Sequence, residues 1–225
     1  MKNPINYSFK TEIWPFLMLL STVVLSFWAY PLLPDTVVSH WDFSGQANGW
    51  SSREFHCLFF PTLIFFIYFV LSLSPKFDPN SERYQEFAKS FLLIRDAIIF
   101  VLLVVFAAAT FSNLGYPINI GGVAAGAIGL LMIVIGNYLG KLKRNFFIGI
   151  RTAWTLSSEN VWNKTHRLTA RLFIIWGLGL IAAPWVGSTL GFIILFGGII
   201  LVAVWPAIYS YCLFNKEKKE KDNLK

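Results

Sequence analysis

Six long blocks of apolar residues run through the sequence, and they constrain the fold more than any other feature. Short stretches that hold most of the charged residues separate them. A helix that crosses the hydrocarbon core of a bilayer needs about 20 mostly apolar residues. The blocks occupy residues 14–33, 55–73, 91–111, 121–140, 172–186 and 190–213. The pattern predicts an all-α integral membrane protein with about six transmembrane helices.

The composition supports this class. Hydrophobic residues make up 56% of the 225 residues and charged residues only 14%, whereas an average soluble domain is about 25% charged. The blocks have no polar face, so a soluble fold would leave apolar surface in water. The net charge of +7 is explained by basic loops at a membrane surface. No RNA- or DNA-binding pattern stands in those loops, so we expect no direct contact with nucleic acid.

Basic residues are concentrated in every second segment between the predicted spans, and therefore on one side of the membrane. All but one of the 19 lysines and arginines precede the first block, lie in or beside the second and fourth connections, or follow the sixth block. The exception is Arg53. Because positive residues stay on the cytoplasmic side during insertion, the amino and carboxyl ends are both predicted to be cytoplasmic.

The spans and charges suggest three regions. The first, 1–113, has three spans and an extracytoplasmic outer loop at 34–54; the second, 114–215, has three spans and a basic cytoplasmic inner segment at 141–171. The third is a charged cytoplasmic tail, 216–225, which we expect to be solvated and frayed.

Small residues are dense in the fourth to sixth blocks. Because small residues let helices approach closely in lipid, we expect them to mark helix packing and not a pore. They include Gly122, Ala125, Gly126, Gly129 and the pair Gly197–Gly198.

The outer loop has a more specific composition than a minimal connector needs. Gly45 supplies turn chemistry, and Trp41 suits the headgroup layer or a partner surface. His40 beside Asp42 forms either a hydrogen-bonded pair or half of a metal site. A zinc site would also need His56, and this spacing fits no standard zinc pattern. We therefore expect a structural turn and no bound metal.

The inner segment holds seven basic residues and one acidic residue. Ser157 or Ser158 can cap a helix whose first turn is complemented by Glu159. We expect this helix to be interfacial and to lead into the fifth span. Its predicted faces are Val161, Trp162, Thr165 and Leu168 on one side, and Lys164, Arg167 and Arg171 on the other.

The inner segment resembles the SdpI family, bacterial membrane proteins named for immunity to a sporulation-delaying toxin. The resemblance lies in the run GNYLGKLKRNFFIGIRTAWTLSSENVWNKTHR at 136–167. The outer loop resembles the domain of unknown function that often precedes this region, through Leu-Pro-Asp at 33–35, His40–Trp41 and Gly45. The family usually has proline where Ala153 and Val38 stand here, so we expect two looser turns.

The resemblance implies a protein of the bacterial cytoplasmic membrane that protects against a secreted peptide toxin and holds a cytosolic transcriptional repressor at the membrane. It implies neither catalysis nor a cofactor. The residues assigned to partner binding are Asn145, Gly149, Arg151, Thr152, Trp154, Thr155, Trp162, Thr165, His166 and Arg167. Those assigned to sensing outside the cell are His40, Trp41, Asp42 and Gly45.

Two other functions fit parts of the pattern. A transporter of small molecules or peptides would place ionisable groups in its spans, and the chain has few, chiefly Arg95 and Asp96 in the third block. A membrane enzyme acting on a lipid-linked substrate could use His166, Glu159 and Arg151 as acid, base and phosphate clamp. It would have a single carboxylate and no nucleophile–base pair.

Overall fold

A computed structural model describes residues 3–42 and 45–223. In this part of the chain, six helices are long and apolar enough to cross a membrane. The helices are α1 (Phe9–Ala29), α2 (Arg53–Leu73), α3 (Tyr84–Asn113), α4 (Ile120–Leu139), α5 (Ala153–Ser157), α6 (Glu159–Ala182) and α7 (Ser188–Asp222). The antiparallel strands β1 (Thr36–Trp41) and β2 (Ala47–Ser52) lie between α1 and α2. The predicted all-α membrane fold with six spans is confirmed.

Polar side chains begin several of these helices. The first backbone N–H groups of a helix have no partner inside it, so a side-chain oxygen just before it can accept one of them. Ser52 accepts from the N–H of Phe55 at the start of α2, at 3.2 Å, and Asn119 accepts from Gly122 at the start of α4, at 2.9 Å. Serine and asparagine thus set where the apolar blocks become helical.

α4 and α6 pack through glycines that bring their backbones together. A Cβ atom on Gly129 would lie 2.6 Å from the carbonyl oxygen of Gly177, and one on Gly177 would lie 2.5 Å from the carbonyl oxygen of Gly129. Two turns further along α4, a Cβ on Gly136 would lie 2.7 Å from the carbonyl oxygen of Ala170. The packing role expected for Gly129 is confirmed, whereas Gly126 and Gly197 face open space.

The outer loop forms a hairpin of two strands, which the sequence analysis did not predict. β-branched residues open β1, and the fully buried Val37 packs against Ala29, Leu33 and Cys57. The backbone of Val38 is held by the side chain of Asn113, whose Oδ1 accepts its N–H at 2.7 Å and whose Nδ2 donates to its carbonyl at 3.0 Å. The hairpin is therefore fixed to the outer end of α3.

The interfacial helix expected before the fifth span is not a separate element. Ser158 caps α6 by accepting from the N–H of Val161 at 3.3 Å, and the helix continues from Glu159 to Ala182. Its two predicted faces do divide as expected, with Lys164 exposed and Trp162 buried. Val161, Trp162 and Thr165 of the predicted apolar face are buried inside the protein.

The charged tail is also helical in the described residues, contrary to the frayed end expected from its composition. α7 extends without interruption to Asp222. Glu217 accepts hydrogen bonds from the hydroxyl of Ser158, at 2.8 Å, and from the side-chain amide of Asn160. These contacts bind the inner end of α7 to the start of α6 and stabilise the last turns.

Replacing Gly129 or Gly177 with alanine should destabilise the protein in detergent. The new methyl group meets a backbone carbonyl that cannot move aside as a side chain can, and overpacking of this kind costs about 1–3 kcal/mol. Gly126→Ala is the matched control, because the same helix gains the same methyl group in open space. Thermal unfolding should show lower midpoints for the first two variants only; equal midpoints for all three would contradict the packing.

Cysteines placed in the outer hairpin and the inner segment should label from opposite sides of the membrane. Cys57 and Cys212 are first replaced, and Ala47→Cys and Ser157→Cys are then introduced singly at exposed positions. An impermeant maleimide applied to intact cells should modify only Ala47→Cys. Labelling of Ser157→Cys at the same rate would show that the charge pattern misplaces the ends.

Candidate functional site

The inner segment begins with a turn that Asn145 closes. Its side chain is fully buried. Its Nδ2 group donates to the carbonyls of Lys143 and Ile148, at 2.9 and 3.0 Å, and its Oδ1 accepts the N–H groups of Phe147 and Ile148, at 2.9 and 2.8 Å. An asparagine side chain can pair with backbone in this way because it carries the same groups as a peptide bond. Asn145 thus replaces the backbone hydrogen bonds that this turn lacks.

A buried carboxylate, Asp78, joins this turn to the connection between α2 and α3. Its Oδ2 accepts the N–H of Phe146 at 2.8 Å and the hydroxyl of Tyr84 at 2.9 Å, while its Oδ1 accepts the N–H of Asn80 at 2.7 Å. A buried carboxylate is tolerated where several donors satisfy it. Asp78 was not among the predicted site residues, because nothing near it in sequence distinguishes it from a solvated loop residue.

His166 accepts a backbone hydrogen bond and is buried completely. Its Nδ1 lies 2.8 Å from the carbonyl of Trp162, so this nitrogen carries the proton and Nε2 accepts the N–H of Ile150 at 3.0 Å. Gly149 makes the approach possible, since its φ is +110° and a Cβ there would lie 2.5 Å from Nε2. Both ring nitrogens are therefore occupied in holding the chain.

Trp162 packs in the same core. Its Nε1 donates to the carbonyl of Leu142 at 2.8 Å, and its ring stacks on that of His166 with centroids 3.9 Å apart. Tyr84 and Phe91 of α3 belong to the same buried cluster. An indole can be buried when its N–H finds an acceptor, so Trp162 anchors the segment to the helices.

Two threonines start α5 by a reciprocal cap. Thr152 accepts the N–H of Thr155 at 3.1 Å, and Thr155 accepts the N–H of Thr152 at 2.9 Å. The hydroxyl of Thr152 also lies 3.0 Å from that of Ser210 in α7, and next to it Trp154 contacts the ring of Tyr211 edge-on. The reciprocal cap therefore begins α5 at Ala153 without a proline at that position.

Ten residues of the inner segment were predicted to bind a partner, and half of them are inaccessible to one. A partner cannot touch a side chain with no exposed surface, and four of the five hold the segment through the hydrogen bonds described above. The fifth is Thr165, whose buried hydroxyl has no hydrogen-bond partner among the described residues. These five are Asn145, Thr155, Trp162, Thr165 and His166. Gly149, Thr152 and Trp154 are partly buried, and Arg151 and Arg167 are exposed.

The exposed part of the turn combines aromatic and basic side chains. Phe146 is 43% exposed and Phe147 41%, and the guanidinium of Arg151 donates to the carbonyl of Phe146 at 2.5 Å. Among the residues the structure describes, no carboxylate lies within 4.0 Å of that guanidinium. We call Phe146, Phe147 and Arg151 the inner ledge.

The three residues considered for catalysis are not brought into one site. Glu159 accepts both Nη groups of Arg83, at 2.9 and 2.7 Å, in a fork that joins the start of α6 to the turn before α3. His166 and Arg151 have the different partners described above. No hydrogen bond connects any two of the three in the described part of the chain.

The outer hairpin holds the residues predicted to sense a signal. His40 is exposed and its Nδ1 is hydrogen-bonded to Oδ1 of Asn48, while Asp42 accepts the N–H of Gln46 at 2.9 Å and Trp41 is half-buried. Gly45 has a φ of +79°, as a turn glycine requires. The expected turn thus lies here, although Phe43 and Ser44 are outside the described residues. Within 3–42 and 45–223, no three His, Cys, Asp or Glu residues cluster as metal ligands would.

A cavity of about 410 Å³ lies where this turn meets the outer ends of α4, α6 and α7. Asp42 and Gly45 line it on one side, and Asn119, Gly122 and Ser188 line it on others. The glycines and alanines in the first turns of α4 leave this space open because they carry little or no side chain. The cavity therefore borders both halves of the chain.

Comparison with known proteins finds relatives over both halves. Residues 141–210 match the family model described as the SdpI/YfhL protein family, and residues 17–65 match the domain of unknown function DUF1648. The chain is also 23% identical over 201 residues to the protein named Immunity protein SdpI of Bacillus subtilis (strain 168), covering 89% of this chain and 92% of that protein. The chain is therefore similar to SdpI proteins over its second half and to the immunity protein over most of its length. No solved structure matches it.

The two matched regions coincide with the two sites. The SdpI region includes the inner ledge, α5, α6 and most of the membrane part of α7, and the DUF1648 region includes the whole outer hairpin. α3 and α4 lie outside both matches. These unmatched helices nevertheless supply Tyr84 to the inner contacts and Asn113 and Asn119 to the outer ones.

Gly149→Ala should loosen the inner segment. A methyl group at this position meets the ring of His166, in addition to the cost of about 1–2 kcal/mol for a non-glycine residue at positive φ. Gly115→Ala is the control, since its φ is +91° but no atom lies within 4 Å. We expect trypsin to cleave the segment in inside-out vesicles at least several times faster in Gly149→Ala than in Gly115→Ala. Equal rates would mean that His166 does not hold the chain.

Proposed function

We propose that this protein confers resistance to a secreted peptide toxin at the bacterial cytoplasmic membrane, and that it also recruits a cytosolic transcriptional repressor. The name of its relative, an immunity protein, supports the first part. The observation that carries the second is Arg151, an exposed cation without a carboxylate partner on a turn held by buried hydrogen bonds. Because the turn is already ordered, Arg151 would lose little conformational entropy when it binds a partner.

The inner ledge has the chemistry of a recognition surface. Phe146 and Phe147 offer apolar area beside a guanidinium, and aromatic residues and arginine are enriched where protein partners bind. Arg151 would pair with a carboxylate of the repressor through its planar fork. Asn145, Asp78 and the backbone of Ile150 hold the ledge in place behind it.

The outer hairpin and the cavity beside it are where we place toxin contact. The cavity opens between the DUF1648 region and the helices that frame the inner segment, so one ligand there would contact both. His40, Trp41, Asp42 and Gly45 form or border this side. A secreted peptide reaches this surface without crossing the bilayer.

A transport function has one observation in its favour, the buried Arg95. Its Nε donates to Asp96 at 2.9 Å, and its two Nη groups donate to the carboxylate of Glu12 at 3.2 and 3.1 Å. Ionisable groups in spans often serve transport. However, Arg95 is ion-paired with both carboxylates at the inner ends of α1 and α3. Tyr68 also donates to Glu12, at 2.7 Å. The cluster therefore supports a structural tie better than an ion pathway.

Arg151→Lys should abolish recruitment of the cytosolic repressor, or protection against the toxin, while leaving the amount of protein in the membrane unchanged. Lysine keeps the charge that membrane insertion requires but lacks the planar fork. Losing one partner of a desolvated, hydrogen-bonded charge pair typically costs about 2–5 kcal/mol, more than tenfold in affinity. Recruitment is measured as the fraction of the repressor that sediments with membranes of the source bacterium. Protection is measured as survival of a sensitive host expressing each variant and challenged with culture supernatant of that bacterium.

Two controls keep this experiment specific. Arg171→Lys makes the same change at an exposed arginine of α6 that we do not place in the ledge, and Lys141→Arg makes the reverse change. Both should protect as well as the parent chain. If Arg151→Lys also protects fully and recruits the repressor as well as the parent chain, the ledge is only a membrane anchor, and the search for the functional surface moves to the outer hairpin around His40.

A further inference from the structure

A groove on the basic side of the protein lies outside both regions that match known families. It runs between the segment before α1, the first turns of α1 and the first turns of α3, and its volume is about 540 Å³. The residues that define its chemistry are Lys10 and Trp14 of α1, and Lys89, Leu92, Leu93 and Asp96 of α3. This groove is therefore separate from the inner ledge and from the outer cavity.

The groove changes from basic to apolar along its length. α1 and α3 both run from the basic side towards the outer side, so positions later in each helix lie deeper in the membrane. Lys10 precedes Trp14 by one turn, and Lys89 precedes Leu92 and Leu93 by about one turn. Basic groups thus stand at the headgroup level with aromatic and aliphatic side chains below them.

The two lysines are free to bind an anion. In residues 3–42 and 45–223, neither ammonium group has a carboxylate within 4.0 Å or another hydrogen-bond partner. Lysine is a compact point charge that can approach a phosphate from several directions. Two such groups on facing walls can share one phosphate.

The one acidic group that lines the groove is ion-paired. Asp96 accepts a hydrogen bond from Arg95, whose guanidinium is fully buried and also binds Glu12 of α1. Asp96 lies two turns deeper than Lys89, roughly 10 Å along the helix. The Arg95 contacts also tie α1 to α3, which fixes the separation of the groove's walls.

Hydrogen bonds hold the segment before α1, which lines one end of the groove. The hydroxyl of Tyr7 donates to the carbonyl of Ser72 at 2.7 Å, and the side-chain amide of Asn3 donates to the same oxygen at 3.0 Å. Burial raises the pKa of the Tyr7 phenol above its usual value, so it remains a neutral donor. The groove is therefore preformed at both ends.

We propose that this groove binds one anionic phospholipid of the inner leaflet, with the phosphate between Lys10 and Lys89 and an acyl chain against Trp14, Leu92 and Leu93. Basic pockets between helices on the cytoplasmic side suit anionic headgroups. A phosphate alone would satisfy the lysines but leave the apolar wall unused. A zwitterionic lipid would bring a quaternary amine near two ammonium groups, which repel it.

The test is thermal unfolding of the full chain in detergent with added lipid. Phosphatidylglycerol should raise the unfolding midpoint more than phosphatidylcholine at the same mole fraction, and 10-fold more inorganic phosphate than lipid should not reproduce the rise. Lys10→Gln combined with Lys89→Gln should weaken the apparent affinity for phosphatidylglycerol by about tenfold or more. Lys218→Gln combined with Lys219→Gln removes the same charge from exposed tail positions and should have no effect.

Each outcome decides the proposal. An equal rise with both lipids, or an unchanged affinity in the groove variant, would overturn it. A rise with inorganic phosphate would show that the lysines bind a soluble anion and not a lipid. Native mass spectrometry gives a second readout that does not depend on unfolding: the parent chain should retain one phosphatidylglycerol, and retention of phosphatidylcholine in equal amount would also count against the groove.

Discussion

The backbone contact between α4 and α6 is the interaction on which the inner segment depends, because that segment connects these two helices. In lipid, burial of apolar surface gives little driving force between helices, so close van der Waals packing has to hold them together. Gly129 and Gly177 provide it by removing the side chains that would keep the two backbones apart. Once the helices are fixed at this distance, Trp162 can reach the carbonyl of Leu142, and the chain between them closes over a buried histidine.

The spans and their number follow from the sequence because apolar blocks of bilayer length have few alternatives. The inner segment was harder to predict. Its polar residues suggested an exposed surface, whereas Asn145 and His166 use their polar groups to satisfy backbone inside the protein. Asp78 could not be recognised at all, since its partners Phe146 and Tyr84 come together only after folding. The strands were missed for a similar reason: Val38 is paired by Asn113, a residue far along the chain.

Ala153 and Val38 stand where the family resemblance led us to expect proline, and hydrogen bonds define the backbone at both positions. At Ala153, the reciprocal cap of Thr152 and Thr155 begins the helix, so a residue with preset φ is not needed there. At Val38, the backbone N–H that a proline would lack donates to Asn113. In both places a hydrogen bond defines the local backbone geometry, and neither residue carries a reactive group.

α7 has a length that a membrane crossing does not require. Its 35 residues extend roughly 52 Å, against a hydrocarbon core of about 30 Å. Its first turn borders the outer cavity, its middle touches the cap of α5, and its inner end is bonded to the cap of α6. Apart from the missing N–H of Pro206, it is one uninterrupted rod. One continuous helix therefore connects the outer cavity to the caps of α5 and α6, so a tilt imposed at one end of α7 would displace the other end directly.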